Sequence, residues 1–214
     1  RASKICVSAG NKGRELLSLA MKDAVFDGFI KYNPVPETKS YPRPKPKIRI
    51  LSKEKIKVLL HAAYLNPWYL EMLLALFCGL RKGEIMGLKF SDFDFEKRTV
   101  RISRQLVANP KLKDGYHVEE YGVTERDPKT ENSFRILRVP KAVMEEVERR
   151  RQKIETEKAW RKDFYEDHGY VCCRPDGKPH STSAFNLALT KLCERNGLPK
   201  ITVHGLRHMF ATIL

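Results

Sequence analysis

Residues 202–213 read Thr-Val-His-Gly-Leu-Arg-His-Met-Phe-Ala-Thr-Ile, and their spacing decides how the second half of the chain is read. Leu206, Met209, Phe210 and Ile213 recur at helical intervals and make one apolar stripe. Thr202 stands just before them, where a hydroxyl accepts from an unpaired first-turn amide, so it is predicted to cap the helix. His204 and Arg207 project from the other side, one turn apart. A guanidinium grips two oxygens in a fork and an imidazole exchanges a proton, so the pair suits a phosphate. A solvated basic face would show the same spacing. His204 and His208 have metal-ligand spacing, but Gly205 replaces the Glu of a hydrolytic zinc helix, so no metal is expected.

Upstream of this helix, Phe185, Ala188, Leu189, Leu192 and Cys193 predict another, stopped around Gly197 and Pro199. A short strand is expected over Tyr170 to Cys173, ending at the turn Pro175, Asp176, Gly177. Pro140 suits the first position of a helix that buries Val143, Val147 and Ile154. Thr99, Val100 and Ile102, and then Phe134, Ile136, Leu137 and Val139, are strand formers and imply a small antiparallel sheet. Lys113, Asp114 and Gly115 predict one turn between them, and Asp127 to Ser133 another that presents Lys129 near its tip. Ser52 is expected to cap a helix carrying Ile56, Leu59, Leu60, Ala63 and Tyr64. Two more helices should cover Trp68 to Phe77 and Arg81 to Leu88, separated at Gly79.

In the run Gly79, Leu80, Arg81, Lys82, Gly83, Glu84 the glycines permit close backbone approach, and Glu84 is placed to orient Arg81 from the next turn. Near the start, Leu17, Ala20, Met21, Ala24 and Val25 form a helical stripe ending near Gly28. One helix cannot bury that stripe alone, so residues 1–32 read as the end of a helical domain. Residues 33–50 hold Pro34, Pro36, Pro42, Pro44 and Pro46, which favour extended chain. They read as a basic linker whose Arg43, Lys45, Lys47 and Arg49 could track a phosphate backbone. The remainder, 51–214, is the second domain, and the fold class is mainly α with a small antiparallel sheet (α+β).

Composition narrows the partner. Of 214 residues 42% are hydrophobic, enough to fold, while 41 Lys+Arg against 26 Asp+Glu leave a net charge of +15. A polyanion explains that excess, and nucleic acid fits best. No apolar run nears the roughly 20 residues of a membrane span and no leader is visible, so a cytoplasmic place with no membrane partner is expected. An RNA-binding module would need an aromatic stacking motif that is not seen. Cys6, Cys78, Cys172, Cys173 and Cys193 lack Cys-x-x-Cys spacing and read as reduced core residues, with at most one of the adjacent pair facing inward.

Taken together, Gly79 to Glu84, the turn Pro128, Lys129, Thr130 before the strand from Phe134, and His204, Gly205, Leu206, Arg207, His208 resemble the pattern of the tyrosine recombinases. The resemblance is to phage-type integrases, from the helix near residue 10 through Leu214. The long connection Gln105 to Arg126 is similar to that of conjugative-transposon integrases. The resemblance implies that Arg81 and Arg207 hold the non-bridging oxygens of a scissile phosphate as charge builds there. It also implies that Lys129 protonates the leaving 5′ oxygen, that His204 takes or relays the nucleophile's proton, and that Glu84 supports them. Lys82 and His208 are expected to contact DNA beside them. No cofactor is required, because a phosphotyrosine link conserves the bond energy.

The family carries a further His or Trp and then a nucleophilic Tyr after the His-x-x-Arg helix. Tyr32, Tyr41, Tyr64, Tyr69, Tyr116, Tyr121, Tyr165 and Tyr170 all precede that helix, so the nucleophile is expected after Leu214. Assembly as a tetramer on paired DNA sites is the corresponding expectation. A type IB topoisomerase and a catalytically inert DNA-binding protein of the same fold are the alternatives.

Overall fold

The computed structural model describes residues 6–42, 50–113, 115, 117–127, 134–181 and 183–213, with the side chains of 112, 120, 121 and 211–213 also left aside. The chain forms two compact units, Arg1–Lys47 and Ile48–Leu214.

In the first unit the helix α1 (Val7–Phe26) carries residues 33–41 along one side. Arg14 donates to the Thr38 carbonyl at 2.8 Å and the Val35 carbonyl at 3.1 Å. Asn11 exchanges two 2.9 Å bonds with the Tyr41 backbone. These amide and guanidinium groups satisfy a segment that prolines keep from pairing with itself. A 3-10 turn at Val35–Glu37 interrupts the extended chain expected there. Met21, Ala24 and Val25 are half-buried as the stripe predicts, but Leu17 and Ala20 are exposed. The inner face is set by Asn11 and Arg14, whose hydrogen bonds an apolar count does not see.

The second unit is built around α3 (Tyr69–Phe77), whose residues Leu70 to Leu76 are all buried. A helix apolar on every side is a core helix, and α2 (Lys53–Ala63), α5 (Lys141–Arg161) and α7 (Val203–Ile213) surround it with α6 (Ala184–Arg195). Its one acid, Glu71, is 1% exposed and is met by Arg150 of α5 at 3.0 and 3.2 Å, which keeps the buried charge paired. Ser52 and Thr202 cap α2 and α7 as expected, accepting from Lys55 and Gly205. The short α4 (Lys82–Gly87) begins one residue after Arg81, which is its N-cap, and α5 likewise begins after Pro140.

Strands β1 (Phe93–Asp94), β2 (Thr99–Ile102) and β5 (Arg135–Arg138) form an antiparallel sheet in that order, with Arg101 opposite Ile136. The connection between β2 and β5 folds into a hairpin, β3 (Gln105–Leu112) against β4 (Val118–Arg126). Between these strands the Lys113 amide donates to the His117 carbonyl at 2.8 Å. The hairpin lies on α4 because Gly83 allows it: a Cβ there would sit 2.8 Å from the Leu106 carbonyl oxygen. Glu125 fastens the base, accepting from the Tyr170 hydroxyl at 2.5 Å and pairing with Lys89 at 2.6 Å. Tyr170 and Cys173 make only isolated bridges, to Lys89 and Pro179, in place of the short strand expected at 170–173. Cys78, Cys172 and Cys193 are buried and Cys173 half-buried, whereas Cys6 is exposed and is no core residue. No described helix is long and apolar enough to cross a membrane.

Candidate active site

The site begins where α3 ends. Gly79 adopts φ +60, a left-handed turn that an L side chain resists, and a Cβ there would meet the Phe210 ring at 2.5 Å. The chain thereby turns sharply enough for Arg81 to cap α4 and for Glu84, at the third helical position, to reach back to the Arg81 amide at 2.8 Å. An acid in the first turn satisfies an otherwise unpaired donor and faces the positive helix end.

Glu84 is 3% exposed and gathers three guanidiniums. Arg81 Nη1 lies 2.8 Å from Oε1. Arg135, from β5, donates Nη1 to Oε1 at 3.0 Å and Nη2 to Oε2 at 2.9 Å. Arg207, from α7, stands 3.7 Å from Oε2 and donates to the Gly79 carbonyl at 2.6 Å. Burial works against the Glu84 charge, but the hydrogen bonds from Arg135 and Arg81 outweigh it and hold the carboxyl below its ordinary range. Arg81 and Arg207, 126 positions apart in sequence numbering and adjacent through one carboxylate, keep donors in reserve. Among the described residues the Arg81 side chain bonds only Glu84, and it is 52% exposed. Burial and the neighbouring Arg81 charge lower the Arg207 pKa, the response of a cation held beside another cation.

His204 projects from the exposed side of α7, one turn before Arg207, and its Nε2 lies 2.9 Å from Nε2 of His208. Desolvation lowers its pKa, and the His208, Arg207 and Arg81 charges push the same way, so the ring favours its neutral, proton-accepting form. Lys82 is half-exposed at the first position of α4, beside Arg81. No group of three or more His, Cys, Asp or Glu that could hold a metal occurs among the described residues. Among them, too, no tyrosine hydroxyl bonds a member of this cluster. Lys129, Arg43, Lys45, Lys47 and Arg49 lie outside the described residues. The residue that sequence reasoning missed is Arg135. It sits in a run read for its strand formers, yet the half-buried positions of β5 are Arg135 and Leu137, while Ile136 is 67% exposed.

Residues 49–214 match the model of the phage integrase family. The chain is 30% identical over 200 residues to a XerC-like tyrosine recombinase of Caldanaerobacter subterraneus subsp. tengcongensis, a match covering 89% of this chain and 51% of that protein. It is 29% identical to the transposase of transposon Tn916 from Enterococcus faecalis, over 76% of this chain and 40% of that one. The chain thus spans about half the length, or less, of these curated relatives. Among solved structures, the Tn1549 transposon integrase in complex with transposon right-end DNA superimposes with a TM-score of 0.77 at 22% identity, over 99% of this chain and 67% of that one. A lambda integrase dimer bound to a core site gives 0.60 at 18% identity, over 96% and 66%. The fold is that of the tyrosine-recombinase catalytic domain. The chain belongs to the phage integrase family.

Proposed function

We propose that this chain is the greater part of the catalytic domain of a site-specific DNA recombinase, one that integrates or excises a mobile element. Arg81 and Arg207 hold the two non-bridging oxygens of the scissile phosphate and stabilise the negative charge that builds on them. His204 accepts or relays the proton of a tyrosine hydroxyl supplied beyond Leu214. That oxygen attacks phosphorus, a 3′-phosphotyrosyl bond forms, and the 5′ oxygen departs with a proton from Lys129. The free 5′ hydroxyl of a partner strand reverses the step, so energy stays in the covalent link. Double-stranded DNA is the substrate, and four subunits on paired sites in the bacterial cytoplasm carry out the exchange. Arg43, Lys45, Lys47, Arg49, Lys82 and His208 contact DNA, with residues 1–32 the end of a helical DNA-binding domain and 33–50 the linker.

The observation that carries the reading is the meeting of Arg81 and Arg207 at Glu84, with His204 one turn from Arg207. The Tn1549 integrase in complex with transposon right-end DNA and the lambda integrase dimer bound to a core site support the substrate class. The test is incubation of the full-length protein with a nicked suicide duplex of its element's end. A covalent protein–DNA adduct on a denaturing gel is expected. Arg81→Lys should retain DNA binding, because the charge stays, and lose the adduct by on the order of 10²-fold or more, because the fork is gone. Adduct formation unchanged in Arg81→Lys overturns the assignment.

A further inference from the structure

We infer that Arg135 is a positioning residue that keeps Arg81 and Arg207 available to phosphate by saturating Glu84. The inference rests on the functional reading above. A carboxylate offers about four lone-pair sites. Glu84 has four donors: the Arg81 amide, Arg81 Nη1, and the two Nη groups of Arg135. Arg135 supplies two of these, one from each Nη, so its fork is aimed at the carboxylate. It also comes from a different element than Arg81, the sheet in place of α4, and so braces the carboxylate from outside the helix.

The consequence is competitive. With Glu84 filled, Arg81 makes a one-nitrogen side-chain contact and Arg207 stays at 3.7 Å. Without Arg135, two acceptor sites open beside the Arg81 and Arg207 guanidiniums, and a fork-to-fork pair with Glu84 is the preferred geometry for either. Each such pair withdraws from DNA the donors that the transition state needs. A brace placed this way raises the rate without touching a reacting atom.

The test compares two suicide duplexes, one with the natural scissile phosphate and one with a methylphosphonate there, which lacks the charge that the arginines neutralise. In the full-length protein Arg135→Ala should form adduct about 10²-fold more slowly on the natural duplex. The deficit should shrink to within about tenfold on the methylphosphonate, as it should for Arg81→Ala. Arg135→Lys, which keeps a charge and loses the fork, should fold like the unaltered protein by circular dichroism and show the same substrate-dependent deficit, smaller in size. Equal losses on both duplexes would mean a merely structural role and overturn the inference, as would unchanged rates in both variants. If Arg81→Lys abolishes the adduct and the Arg135 variants keep it, the positioning role alone fails. If the unaltered protein forms no adduct on either duplex, the functional reading fails with it.

Discussion

Arg135 holds both carboxylate oxygens of Glu84, at 3.0 and 2.9 Å, from 51 residues further along the chain. The pair ties β5 to α4, and with Arg207 close by it links three segments of the second unit at one buried charge. Removing the acid leaves guanidiniums facing one another in a half-buried site. Glu84→Gln should therefore destabilise the fold by about 3 kcal/mol, the usual scale for breaking a buried pair by removing one partner. A urea titration checks it, with a lower midpoint and unchanged slope.

The same pair sets an acid limb. Because the folded-state pKa of Glu84 is depressed, its contribution is fully present above the unfolded value and is lost as pH falls through the folded one. The difference in urea midpoint between the unaltered protein and Glu84→Gln should be constant from pH 7 to about 5 and close below about 4. Asp94, Glu125, Glu166 and Asp167 are also held low and add to the acid response of both proteins, so the difference isolates Glu84.

Gly79 carries two burdens at once, a φ of +60 and the face of Phe210. Gly79→Ala should cost about 1–3 kcal/mol, from backbone strain together with displacement of the ring. It should also disturb the carbonyl that holds Arg207, so DNA cleavage should fall further than stability explains. Measuring adduct formation at a temperature where the variant is fully folded separates the two effects.

His204 should titrate below the ordinary imidazole range in the DNA-free protein, through desolvation first and then the charges of His208, Arg207 and Arg81. Its neutral form is favoured by the fold, so it stays a proton acceptor until the pH falls well under neutrality. Proton NMR of the ring should show this midpoint rise in Arg81→Ala, where one of the repelling charges is gone. A midpoint that does not move would separate His204 from the arginine cluster.

Tyr170 donates to Glu125 at 2.5 Å and so fastens the hairpin of β3 and β4 to the helical core. Tyr170→Phe removes one hydrogen bond to a charged acceptor, a loss of roughly 1.5–3 kcal/mol. Amide exchange should quicken at the base of the hairpin, around Glu125, and stay unchanged in α3.

How much of this was legible beforehand varies with the interaction that fixes each element. The helices of the second unit follow from apolar spacing, and Ser52 and Thr202 cap theirs as a local hydroxyl should. The connection Gln105–Arg126 reads as a long link, but its flanks pair into a hairpin, while Asp114 of the turn expected at Lys113–Gly115 lies outside the described residues. Pairing is a contact between distant residues, and along β3 Leu106 alone among the described side chains is buried, so no alternation betrays it. Apolar spacing puts Leu17 and Ala20 in a buried stripe, yet both are exposed, because Asn11 and Arg14 set the inner face of α1 through hydrogen bonds to Tyr41 and Thr38.

The α+β class, the basic character and the residue types of the site can be read from the amino acids alone, since propensity, periodicity and charge are local properties. That Arg81, Arg135 and Arg207 share one carboxylate is visible only in the folded chain. Convergence of charges from separate helices and a strand depends on how the core packs, and a buried acid accepts whichever donors the packing brings within about 3 Å. Arg135 shows the difference plainly: in the sequence it is one basic residue beside strand formers, and in the fold it fills half of the acceptor sites of Glu84.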